Sequence, residues 1–170
     1  MVKAVDEQVL SGMADILGEQ ALVYGGLVEL SRKKQQVLVE GGTREFEAIL
    51  ESEQALLWRA GKLEEKRLQL QERLASEISV SAEKLSVSRL IDLIDEPMAD
   101  RYRKLQSEIL TSLDELGKLN QLNTRLIQRS LQYINATLEL LTRLGPGATY
   151  SPDGQPVARR LSSAVVNRKV

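Results

Sequence analysis

The chain contains no cysteine and no histidine, and aromatic residues are scarce: one Phe, one Trp and four Tyr in 170 residues. Without cysteine there is no disulfide framework, thiol nucleophile or thiolate metal site. Without histidine the usual acid/base near neutral pH and the commonest transition-metal ligand are both missing. A serine nucleophile would need a lysine or metal partner that no local pattern marks. Gly-rich phosphate-binding loops are absent. No window approaches the ~18 uninterrupted apolar residues that suggest a membrane span, and MVKAVDEQVL has no apolar signal-peptide core. The inventory is that of a binding protein rather than an enzyme, with no cofactor, no stable membrane insertion and a cytoplasmic location expected.

What is present is rich in leucine and in charged and amide side chains, with 42% hydrophobic and 28% charged residues, a balance typical of long helices and coiled coils. The net charge of -1 is unevenly spread. Residues 145–170 hold Arg159, Arg160, Arg168 and Lys169 against Asp153, so they carry +3 and the preceding 144 residues -4. Four scattered basic residues are too few for nucleic-acid binding and suit a solvated end, contact with an acidic partner or contact with an anionic membrane.

Four helical segments are predicted. The first runs from about Val5 to Glu40, with Val5, Val9, Met13, Ile16, Val23, Leu27, Leu30 and Val37 at helical spacing. Gly25-Gly26 within it predicts a kink or a close helix contact. Gly41-Gly42-Thr43 ends this helix, with Thr43 the candidate cap of the next. That second helix, from Glu45 to about Ile78, places Phe46, Ile49, Leu50, Leu56, Leu57, Ala60, Leu63, Leu70, Leu74 and Ile78 on its stripe. SVSAEKLSVS reads as a polar link with its valines at loop-like positions. It leads to a short helix over Leu90–Asp95, and Pro97 either ends that helix or begins the next. The last helix, Met98 to Leu144, would be roughly 70 Å long at the α-helical rise, and Gly145-Pro146-Gly147 stops it. The expected fold is all-α: an elongated antiparallel bundle or coiled coil of three long helices and one short one. The expected division is a helical domain over 1–144 and a flexible arm over 145–170. Glu53, Arg67 and Asn123 interrupt the seam, which favours a bundle over a filament.

Paired acids occur at Glu64-Glu65, Asp92/Asp95/Glu96 and Asp114-Glu115. Bundle di-metal sites add a Glu-x-x-His motif that cannot exist here, so these acids read as surface charge and no metal site is assigned. The final helix is the more informative segment: LGKLNQLNTRLIQRSLQYINATLELL. Asn120 and Asn123, three apart and flanked by Leu119, Leu122, Leu126 and Ile127, share a face that is otherwise apolar. Such amides either cross-bond to another helix of the same bundle or fix register and partner choice. Leu126, Ile127, Leu131, Ile134, Leu138 and Leu141 form a broad stripe suited to core packing, to self-association or to helix-in-groove recognition. Beyond the helix stop, Tyr150 sits beside the turn Ser-Pro-Asp-Gly, a tyrosine placed to be an interface anchor or an incidental loop residue.

With these residues in view, the chain resembles the FlgN family of flagellar export chaperones. The resemblance rests on LNQLNTRLIQRSLQYINATLELL followed by TYSPDGQ, where Leu119, Asn120, Asn123, Leu126, Ile127, Tyr150, Asp153, Gly154 and Gln155 fit the family pattern. In motif it covers about residues 116–155, and in architecture nearly the whole chain. A Glu-Lys pair common in the family's second helix is replaced by Ser52-Glu53-Gln54. The resemblance implies a cytosolic chaperone that shields the amphipathic C-terminal helix of hook–filament junction proteins and delivers them to the cytoplasmic domain of the export gate. It assigns cargo binding to Asn120, Asn123, Leu126, Ile127, Leu131, Ile134, Leu138 and Leu141, and gate docking to Tyr150, Asp153 and Gly154. The alternative is a structural coiled-coil or adaptor protein that forms a homo-oligomer through the same stripe.

Overall fold

A computed structural model describes residues 6–143. It contains four α-helices: α1 (Glu7–Glu40), α2 (Thr43–Glu77), α3 (Val87–Ile91) and α4 (Met98–Arg143), with a 3-10 turn at Ala82–Lys84. Among the described residues there is no strand. The chain divides into two compact units, Met1–Ile127 and Gln128–Val170. The predicted all-α fold is therefore observed. The expected boundary at 144/145 and the character of the arm lie at or beyond the end of the described residues.

In the first unit α1 is the central helix. It buries Val9, Leu10, Met13, Ala14, Leu17, Val23, Leu27 and Val28, which covers more than the single stripe read from the sequence. The reason is that two helices pack on it. Against α2, Gln20 meets Glu64 and Lys34 meets Glu53, so numbering rises on one helix as it falls on the other. Against α4, Leu10 meets Tyr102 and Ser31 meets Asn123, so these two helices run parallel. Apolar side chains therefore appear on two flanks of α1.

The α1–α2 corner is built by its glycines. Gly41 caps α1 in the left-handed conformation, φ 86°, and its N–H donates to the Val37 carbonyl at 2.8 Å. That backbone region favours glycine, which has no Cβ to clash there. Thr43 is not the cap of α2. Gly42 is the N-cap, and Thr43 is the first helical residue. Glu45 folds its carboxylate back over Gly42, so near that a Cβ there would lie 2.7 Å from Oε2. A glycine cap gives up only a few tenths of a kcal/mol relative to a hydroxyl cap. The predicted close approach at Gly25-Gly26 is real at one of the two: a Cβ on Gly26 would sit 3.0 Å from Leu56 Cδ1, while one on Gly25 would meet nothing within 4 Å.

The serine-rich link carries more structure than its polarity suggests. Ser86 caps α3, its hydroxyl accepting from the Arg89 N–H at 3.2 Å. The short helix therefore lies at Val87–Ile91, N-terminal to the predicted Leu90–Asp95, and Val87 opens it. Pro97 disfavours helical backbone at the residue before it, and α4 begins just after it. Gln71 fastens the link to α2, its side-chain amide donating to the carbonyls of Ala82 at 2.7 Å and Leu85 at 3.0 Å. Leu85, Leu90 and Ile91 then join the larger core cluster with Leu10, Leu17, Leu74 and Tyr102.

Candidate functional site

Eight residues of α4 carry the sequence-based cargo assignment, and the structure sorts them into two groups. Four lie in the first unit. Asn123 is 2% exposed, and its Nδ2 donates to the Ser31 carbonyl at 2.9 Å. Asn120 is solvent-exposed along part of its surface, and its Oδ1 accepts from the Ser31 hydroxyl at 3.3 Å. Both amides thus converge on one serine of α1. Of the two readings of this pair, the geometry is that of cross-bonding within the bundle. Leu126 and Ile127 follow on the same helix, half-buried.

The Ser31 cluster has an unusual feature. The Ser31 hydroxyl donates to Asn120, and the Asn123 Oδ1 is buried with no hydrogen-bond partner among the described residues. Leaving a buried acceptor unpaired costs about 1–3 kcal/mol. Asn123→Leu, which keeps the volume and removes the amide, is therefore expected to raise stability by about 1 kcal/mol. Chemical denaturation checks this, and a loss of more than 1 kcal/mol would show that the amide contributes net stability.

The other polar residues on the seam are also matched. Lys34 Nζ reaches Glu53 Oε1 at 2.6 Å, with both side chains largely shielded from solvent. Arg67 binds Glu64 through Nε and Nη2, each at 2.7 Å, and gives a third bond to Gln71. The Arg67 hydrogen bonds hold the Glu64 carboxyl below the usual range, and the same pairing raises the guanidinium. Tyr24, beside them, is pushed up by burial and by the Glu64 charge. These pairs place charges on the flanks of α1 without leaving them unbalanced.

The second group lies in the second unit. Leu131, Ile134, Leu138 and Leu141 are spaced by three, four and three residues, so they share one face of the helix. Their exposures are 54%, 50%, 54% and 60%. Four large aliphatic side chains on one face, each half open to solvent, form a ridge that can bury apolar area only against a further surface. Tyr133 and Leu140, elsewhere on the same segment, are exposed as well. The gate-docking assignment to Tyr150, Asp153 and Gly154 falls outside the described residues.

Among the described residues no group of three or more His, Cys, Asp or Glu side chains is arranged to hold a metal ion. No described helix is long and apolar enough to cross a membrane. Comparison with curated proteins and with solved structures returns no match. The family model described as FlgN protein matches residues 9–158, which take in nearly all of α1, all of α2 to α4 and residues beyond the described ones. An all-helical fold over the described residues, a leucine face on the last helix and a match over most of the sequence agree: the chain belongs to the FlgN protein family, and its role is that of a flagellar export chaperone.

Proposed function

We propose that the chain binds hook–filament junction proteins in the cytosol, covers the amphipathic C-terminal helix of each, and delivers it to the cytoplasmic domain of the export gate. The observation that carries this reading is the face formed by Leu131, Ile134, Leu138 and Leu141, half-exposed on every residue. A cargo helix that polymerises through its own apolar face needs that face covered until export, and a leucine ridge of matching period supplies the cover. Leu126 and Ile127 extend the stripe toward the N-terminus of α4. The role of Asn120 and Asn123 in this reading is to hold the register of α4 on α1 through Ser31.

The test is direct. The full chain, mixed with a labelled C-terminal helix of a junction subunit, should form a one-to-one complex. No complex at tens of micromolar would sink the proposal. Gate docking through Tyr150, Asp153 and Gly154 rests on the resemblance of that segment to the family pattern. Tyr150→Ala is expected to leave the affinity for the cargo helix within twofold. It should weaken binding to the cytoplasmic gate domain by about tenfold, as loss of an aromatic anchor commonly does. Equal loss of both would contradict the division of labour.

A further inference from the structure

The core of the first unit is closed at one end and open at the other. At the closed end Leu85, Leu90 and Ile91 of the connecting segment pack with residues of α1, α2 and α4 as a fourth element. In the neighbouring cluster around Val23, Leu27 and Leu63, the partly buried residues come only from α1, α2 and α4. Where the two regions meet lies a cleft of about 340 Å³, with Leu17 and Tyr24 as its floor, Glu64 and Arg67 on α2, and Gln106 and Leu110 on α4. Val87 of α3 closes one side of it.

Beyond the cleft both walls continue as apolar faces. On α2, Leu57 and Gly61 lie seven and three residues from Glu64 and so share its face. On α4, Leu113 and Gly117 stand in the same relation to Leu110. Leu57 is 56% exposed and Leu110 60%. A Cβ placed on Gly61 or Gly117 would meet nothing within 4 Å, so neither wall is filled from within the bundle. These leucines belong to a three-helix layer that lacks its fourth member.

We infer that this groove between α2 and α4 docks a short amphipathic helix of a protein partner, with leucine-type anchors and a basic edge. The connecting segment of the chain itself shows the chemistry that fits, because Leu85, Leu90 and Ile91 fill the equivalent space one step along. The charge of the partner follows from the rim. Glu47 and Glu65 line the outer edge of α2 along this open stretch, both exposed, and of the two only Glu65 has an ion-pair partner, Lys62, within the described residues. On α4 the rim residue Asp114 is neutralised by Lys118 at 2.7 Å. Residues 6–143 hold 18 basic and 23 acidic side chains, a balance of -5, which adds to the attraction for a cationic edge. Leu50 stands fourteen residues before Glu64 and on the same face, so the open stretch of α2 from Leu50 to Glu64 is roughly 21 Å, the length of about 14 helical residues. This site is distinct from the leucine ridge of the second unit and does not depend on the cargo reading.

Trp58, the only tryptophan of the chain and 70% exposed beside Leu57, reports occupancy by fluorescence. The probe is a synthetic 16-residue helix with leucines at helical spacing and lysines along one edge; its counterpart carries glutamates there instead. The full chain is expected to bind the lysine-edged helix with a Kd on the order of 10 µM and the glutamate-edged one at least tenfold more weakly. Leu57→Gln with Leu110→Gln should reduce binding about tenfold with an unchanged helical melt, while Leu138→Gln should leave it within twofold. Equal affinity for both peptides overturns the proposal. So does sensitivity to Leu138→Gln without sensitivity to the groove variant, which would place the peptide on the second unit. A stable dimer that the groove variant dissolves overturns it too, since the occupant would then be a second copy.

Discussion

Tyr102→Ala is expected to lower the stability of the first unit by about 3–5 kcal/mol, the range for deleting a large buried ring. Tyr102 is fully buried, at the point where α4 meets α1 and the connecting segment. Its hydroxyl donates to the Leu10 carbonyl at 2.8 Å. Removing the ring leaves a cavity among side chains from several elements, which cannot all collapse into it. For a domain of this size the melting temperature should fall by roughly 10–15 °C. Tyr102→Phe loses only the hydrogen bond and should cost about 1 kcal/mol. The pair also makes a distinction at high pH. Burial pushes the Tyr102 hydroxyl well above its usual value near 10. Below pH ~10 the group is neutral in both folded and unfolded chains; above it the unfolded chain ionises first, so its stabilisation is lost as pH rises. The wild-type chain should therefore lose stability above pH ~10 more steeply than Tyr102→Phe. Parallel slopes in alkaline denaturation would show that the ring is not sealed from solvent.

Leu138→Asp is expected to weaken binding of a junction-protein C-terminal helix by about a hundredfold or more. The loss combines forfeited apolar burial, about 1.5–3 kcal/mol for a leucine, with the cost of desolvating a carboxylate in the contact. The chain alone should barely respond, because Leu138 is exposed by about half and substitutions at such positions usually stay within about 0.5 kcal/mol. Isothermal titration of cargo helix into wild-type and variant chains, with thermal melts of each, separates the two effects. Unchanged affinity with unchanged melting would remove the second-unit ridge from the cargo site. A collapse of the melt would show that Leu138 packs within the chain.

The contrast between these two positions is not visible in their sequence context. Tyr102 precedes the leucine stripe of α4 and looks like an ordinary helical tyrosine between two arginines. Leu138 stands in the middle of the stripe, where spacing alone suits core packing and binding equally. The structure distinguishes them, burying the tyrosine and exposing the leucine. The same holds on α2, where Leu56 and Leu57 are neighbours on the predicted stripe. Leu56 packs against the core cluster around Val23, while Leu57 is open to the groove. In the connecting segment, serines masked a capped helix and a buried Leu85, because composition averages over residues whose individual hydrogen bonds decide the outcome.

Read alone, the residues were sufficient for the helical class, the break at Gly41-Gly42, the start of α4 after Pro97 and the leucine face of the last helix. Each depends on local backbone preference or on spacing along one helix, and both are local properties of the chain. Family membership was likewise legible in the Asn-Leu pattern and the segment around Tyr150. Tertiary structure alone decided that α1 is the central helix, that Asn120 and Asn123 meet at Ser31, and which of the evenly spaced leucines are covered. Periodicity states which side chains share a face; whether anything packs on that face depends on helices distant in sequence. That is why the missing histidines and cysteines could exclude whole classes of chemistry at once, whereas the two open apolar surfaces emerged only from the packed chain.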